Sequence, residues 1–83
     1  MGESGVFARV RFLGLLKDYQ PESDKDGAWP VPAGRTVQDI IDQTGVQAGK
    51  WEFVVTVNGE SVRRQYELAD GDEVIFSTIF LGG

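Results

Sequence analysis

The sequence contains no cysteine and no histidine. Those two absences remove the thiolate nucleophile, the usual general base at neutral pH and the commonest zinc ligands together. Self-contained catalysis is therefore not expected, and neither is a bound metal. With no disulfide available, a folded state has to rest on packing. Positive charge is scarce as well: eight Lys and Arg against thirteen Asp and Glu leave a net charge of −5. That is the wrong sign for a phosphate-binding surface, so nucleic acid is not an expected partner. An acidic domain is suited instead to the basic face of another protein, or owes its charge to solubility. No apolar stretch approaches the length of a membrane span, and Met1-Gly2-Glu3-Ser4-Gly5 lacks a basic region leading into an apolar run. The expectation is a soluble, cytoplasmic protein with no membrane partner. Phosphate-binding glycine motifs are missing too, since no glycine run leads from a strand into a helix at the required spacing.

What is present is ordinary globular material. The 83 residues, 41% hydrophobic and 25% charged, read as a single domain, 1–83, with one core. Val6, Ala8, Val10 and Phe12 alternate with Arg9 and Arg11, the period of a half-buried strand. Leu13, Leu15, Leu16 and Tyr19 crowd around Gly14 and suit a short helical turn under a sheet. Gln20 to Gly27 contains a polar, turn-forming cluster and reads as an exposed loop. Ala28-Trp29-Pro30-Val31 reads as a second strand, which Pro30 restricts to an edge or a bulge.

Thr36 has the character of a helix N-cap, with Asp39 near the positive end of the helix it starts. Val37, Ile40, Ile41 and Thr44 then fall on one face, and Gly45 supplies the stop. Val46 to Glu52 reads as a connection, with Trp51 covering the edge of the core. Phe53-Val54-Val55-Thr56-Val57 has the β-branched density of an interior strand, and Asn58-Gly59 signals a hairpin returning through Glu60-Ser61-Val62. After Leu68, a core anchor, Asp70-Gly71-Asp72 is a tight turn. Glu73 to Thr78 is the last strand, apolar on both faces at Val74, Ile75 and Phe76 and hence central.

The chain closes on Ser77-Thr78-Ile79-Phe80-Leu81-Gly82-Gly83. Residues without a Cβ thread a channel too narrow for other side chains, so a terminal Gly-Gly can present the Gly83 carboxylate alone to another enzyme. The stretch of residues 77–83 reads as an extended tail, which at roughly 3.3 Å per residue reaches about 23 Å. Gly82 and Gly83 supply slenderness; Ile79, Phe80 and Leu81 supply apolar docking area.

The element order, with one main helix across a mixed sheet of about five strands, is an α+β, ubiquitin-like β-grasp arrangement. Within it the residues resemble the sulfur-carrier branch, typified by the small subunit of molybdopterin synthase and the thiamine-pathway sulfur carrier. The resemblance is carried by Val10-Arg11-Phe12 with Leu15-Leu16, by Gly34 to Ile41, by Val57-Asn58-Gly59-Glu60, and by Leu68 to Val74 leading to Gly82-Gly83. It departs in the tail, where Ser77-Thr78 and Ile79-Phe80-Leu81 stand in place of the Pro-Pro and small residue often found there.

What the resemblance implies is a carrier that is inert alone. An adenylating, E1-like activating enzyme would use ATP to activate the Gly83 carboxylate, which would become a thiocarboxylate and donate sulfur. The first expected destination is molybdenum cofactor synthesis, with the large subunit of molybdopterin synthase receiving the tail. Phe7, Ile75 and Phe80 are candidate contacts with that partner. No cofactor is expected on the chain itself. Sulfur supply to thiamine thiazole or to tRNA thiolation, covalent modification of a target lysine, and a β-grasp interaction module without carboxyl chemistry remain as alternatives.

Overall fold

Alternation of Ala8, Val10 and Phe12 with Arg9 and Arg11 produces strand β1 (Phe7–Phe12) in the computed structural model, which describes residues 6–49 and 51–79. A 3₁₀ helix (Gly14–Tyr19), β2 (Trp29–Pro32), α1 (Val37–Thr44), a 3₁₀ turn (Val46–Ala48), β3 (Phe53–Val57), β4 (Glu60–Ser61) and β5 (Glu73–Thr78) follow. The strands form one sheet in the order β2-β1-β5-β3-β4. Only the β1–β5 pair is parallel; β1–β2, β3–β5 and β3–β4 are antiparallel. This is the expected mixed five-stranded sheet with one main helix, an α+β β-grasp.

β5 occupies the middle because it is apolar on both sides. Val74 and Phe76 are fully buried toward α1, and Ile75 is half-buried on the opposite face. β2 pairs with β1 alone, so Pro30, which cannot donate to a ladder, lies on an edge strand as the sequence indicates. Val6 falls outside β1 and is exposed, so the inward-facing set begins at Ala8.

The helix is fixed at both ends by local chemistry. Thr36 Oγ1 accepts the Asp39 N–H at 3.1 Å, and Asp39 Oδ2 accepts the Thr36 N–H at 3.0 Å, a reciprocal capping box. Gly45 takes a left-handed φ of 74° and donates its N–H to the Ile41 carbonyl. Between the caps Val37, Ile40 and Ile41 are buried against the sheet. Thr36→Ala removes the accepting oxygen and is expected to cost about 1 kcal/mol. For a domain of this size that lowers the melting temperature by roughly 4–8 °C, whereas Thr36→Ser should retain most of it; a thermal melt followed by circular dichroism reads both.

The core lies between α1 and the inner sheet face. Phe12 and Phe76, neighbours across the parallel pair, stack with ring centroids 4.4 Å apart, and Phe53 packs on Phe76 at 5.8 Å. Trp29 is buried as a packing residue. The 3₁₀ helix has a three-residue period, so it turns Leu16 and Tyr19 to the core and leaves Leu15 in solvent. Of the crowded leucines, therefore, only Leu16 is under the sheet. Trp51 is 45% exposed just before β3 and does not seal the core edge as expected.

The segment after β4 is held by backbone bonds to the entry of α1, among them the Val37 N–H to the Tyr66 carbonyl and the Leu68 N–H to the Arg35 carbonyl, and by one carboxylate. Asp72, only 7% exposed, accepts the Ala69 N–H at 2.9 Å and the Tyr66 hydroxyl at 3.0 Å on Oδ2, and the Asn58 side-chain amide at 3.0 Å on Oδ1. The Ala69 N–H, then the Asn58 and Tyr66 bonds, lower its pKa from 3.8 against the opposing effect of burial. The same bond to Asp72 raises the Tyr66 pKa.

Candidate functional site

The site expected from the sequence is the end of β5 and whatever follows it. β5 pairs with β3 from Val57↔Val74 to Phe53↔Thr78, and one further backbone bond, Ile79 N–H to the Glu52 carbonyl at 3.2 Å, extends the ladder by a step. Ser77 and Thr78 are thus strand, and the extended tail starts later than residue 77. Past the anchored Ile79, residues 80–83 span at most about 14 Å at 3.3–3.6 Å each, in place of the 23 Å expected of residues 77–83. Phe80, Leu81, Gly82 and Gly83 lie outside the described residues.

The face of the sheet opposite α1 carries the remaining candidates. Parity along β5 puts Glu73, Ile75 and Ser77 on that face, with Ile79 continuing the period. Register places Arg11 and Thr56 beside Ile75, and Val54 beside Ser77. Leu13 extends the β1 ladder, its N–H donating to the Phe76 carbonyl at 2.9 Å. Leu13 (44% exposed), Val54 (38%) and Ile79 (38%) therefore make an apolar stripe on the open face around the tail root. The sequence reading named Ile79 and Ile75 but missed Leu13 and Val54. For Val54 the signal was present, because Phe53, Val55 and Val57 point one way and Val54 and Thr56 the other.

Phe7 is on the same face but at its far end. It is level with Gly71, whose N–H donates to the Phe7 carbonyl at 3.0 Å. That puts it roughly 25 Å along the strands from Ile79 at about 3.3 Å per residue. An ionic belt lies between. Arg11 Nη1 meets Glu73 Oε1 at 2.7 Å, while Arg9 Nη2 meets Asp26 Oδ2 at 3.2 Å and Asp24 Oδ2 at 3.8 Å. Asp24 is held below its ordinary pKa, first by the Ala28 N–H, then by the Asp26 N–H and the two arginines. Each guanidinium has a carboxylate partner, and because Asp26 and Glu73 are about half exposed, solvent screening keeps the contribution of the belt to stability small.

This arrangement can position the root of a chain end. Among the described residues no group of His, Cys, Asp and Glu is placed to hold a metal ion, and no helix is long and apolar enough to cross a membrane. No curated protein matches the chain. The family model of the ThiS family matches residues 10–83, from the second half of β1 through the closing glycines. The chain therefore belongs to the ThiS family of ubiquitin-like sulfur carriers, proteins that work with an activating enzyme and a sulfur-accepting partner.

Proposed function

We propose that this protein is the sulfur-carrying small subunit of a molybdopterin synthase. The Gly83 carboxylate attacks the α-phosphate of ATP on an E1-like activating enzyme, releasing pyrophosphate and leaving an acyl adenylate. A sulfur nucleophile then displaces AMP, and the product is a thiocarboxylate. In the large synthase subunit the thiocarboxylate sulfur bonds to a carbon of the pterin precursor and displaces an oxygen there, and water then cleaves the acyl–sulfur bond to return the Gly83 carboxylate, with acid, base and pterin contacts supplied by that subunit. The reaction draws on ATP in the cytoplasm, and this chain holds no cofactor of its own.

The observation that carries the reading is the anchoring of β5 in the sheet up to the root of the tail. β5 is paired on both sides and stays in register through Ile79, beside an apolar stripe at its root. Phe80 and Leu81 are the next residues in sequence and are apolar, and Gly82 and Gly83, having no Cβ, suit a narrow channel. The short span past Ile79 requires the partner to seat its reacting centre close to the sheet end, so docking uses Ile75, Val54, Leu13 and Ile79. Phe7 contributes where the interface runs the full length of the face.

The deciding experiment supplies the thiocarboxylated protein to the molybdopterin synthase large subunit with its pterin precursor. A dithiolene product is expected. Sulfur that moves only in a thiamine thiazole or tRNA thiolation assay would reassign the acceptor, and tail-dependent conjugates on lysine would replace the carrier by a modifier. Val54→Asp should weaken binding to the large subunit by at least about tenfold, as loss of a central apolar contact does, with Phe7→Asp weakening it less. Calorimetric titration reads the affinity, and a melt of each variant separates docking from folding.

A further inference from the structure

Asn58-Gly59 at the tip of the β3–β4 hairpin combines a reactive dipeptide with an unusually complete set of restraints. Asn58 sits at a left-handed φ of 52° and Gly59 at 88°, the backbone of a type I′ turn. Its side-chain Nδ2 donates to Asp72 Oδ1 at 3.0 Å, its Oδ1 accepts the Glu73 N–H at 3.0 Å, and its own N–H donates to the Glu73 carbonyl at 2.9 Å. Both ends of the amide are therefore fastened to the start of β5. Beyond the turn the two exposed residues of β4 return along β3, followed by one further bond from the Val62 N–H to the Val55 carbonyl at 3.3 Å.

We infer that Asn58 is a deamidation site which the native fold keeps locked and which, once modified, opposes refolding. In a chain freed of these bonds the Gly59 nitrogen attacks the Asn58 side-chain carbonyl carbon, unhindered because Gly59 has no side chain. A carbon–nitrogen bond forms, the bond to the amide nitrogen breaks, and ammonia leaves with the Gly59 proton balanced by solvent. Water then opens the five-membered imide at one carbonyl or the other, giving aspartate or an isoaspartyl linkage. No redox change occurs, and water is the only co-reactant. In the folded state the side chain cannot rotate over the Gly59 nitrogen without giving up both the Asp72 and the Glu73 bonds.

The product does not fit the place it came from. An aspartate at residue 58 loses the donor that met Asp72 and sets a second carboxylate against a largely buried one. Asp72 is kept ionised by the Ala69 N–H and by Tyr66, so the pair repels at neutral pH. The hairpin tip thus converts a period spent unfolded into a covalent mark that reduces return to the native state. This inference is independent of which acceptor takes the sulfur.

The test incubates the full chain at neutral pH, folded or in urea, and follows the mass gain of an amide becoming an acid by peptide mapping. The folded protein is expected to react at least about tenfold more slowly, since reaction waits on a local opening. Equal rates in the two states would overturn the lock. Asn58→Asp should melt several degrees below the parent, and adding Asp72→Asn should recover much of the loss by restoring a donor against an acceptor. An Asn58→Asp chain as stable as the parent, or one not rescued by Asp72→Asn, would overturn the second half.

Discussion

A chain lacking only Gly83 gains no sulfur when incubated with its activating enzyme, ATP and a sulfide source, while its melting curve is unchanged. The intact chain under the same conditions gains the mass of one oxygen replaced by sulfur. The two halves of this expectation have separate causes. The ladder between β3 and β5 runs from Val57↔Val74 to the Ile79–Glu52 bond, four residues before position 83, so this part of the sheet is expected to survive the deletion. Chemistry, in contrast, depends on reach. Past Ile79 the maximum span is short, and deleting one residue draws the carboxylate back by about 3.5 Å. Since an error near 1 Å in a reacting atom's position can cost 10²-fold, the rate should fall at least that far. Conversion that persists without Gly83 would refute a carrier mechanism based on this carboxylate.

Asp72→Ala is expected to have the largest effect on stability of any single polar substitution discussed. It strands three donors at once: the Asn58 amide, the Tyr66 hydroxyl and the Ala69 N–H. With about 1–3 kcal/mol for a buried donor left unmade, and solvent rescuing part of it, a loss of about 2–4 kcal/mol is anticipated. That is a large part of the 5–15 kcal/mol typical of a whole domain. Urea unfolding monitored through the two tryptophans measures it.

The same residue sets an acid limit. Its folded pKa lies below the 3.8 of an ordinary aspartate, so the unfolded chain takes up the proton first as pH falls. The stabilisation is complete above the unfolded value and disappears as pH drops through the folded one. Asp72→Asn should remove this component from the stability–pH profile between neutrality and strong acid. A profile as steep as that of the parent would assign acid unfolding to other carboxylates.

Features legible in the sequence were those whose determinants lie close together along the chain. α1 is bounded by Thr36 with Asp39 at one end and Gly45 at the other, with Val37, Ile40 and Ile41 between, so each signal could be read within a dozen positions. β5 announced its central place by having apolar side chains on both faces. Features that depend on distant pairing were hidden. Asp72 looks like one residue of a tight turn until the topology brings Asn58 and Tyr66 to it. Parity alone assigns Phe7 and Ile79 to the same sheet face. Only the parallel sense of β1 against β5 reveals that they occupy opposite ends of it. The last strand, read as Glu73 to Thr78, and the tail, read as 77–83, overlapped at Ser77 and Thr78; pairing with Val54 and Phe53 across the ladder decides for the strand.

The central position of β5 also has a bearing on biosynthesis. The strand that joins the β1–β2 half of the sheet to the β3–β4 half is synthesised after the other four described strands. Until it emerges, β1 has no parallel partner and β3 has only the two-residue β4, too little for a stable sheet. The decisive contacts join segments almost the whole chain apart, and such contacts form late. Closure of the sheet is thereby postponed until β5 has been made. A ribosome that stalls early releases a fragment that cannot close its sheet and is open to proteolysis, so partners that recognise the folded surface meet chains translated at least through β5.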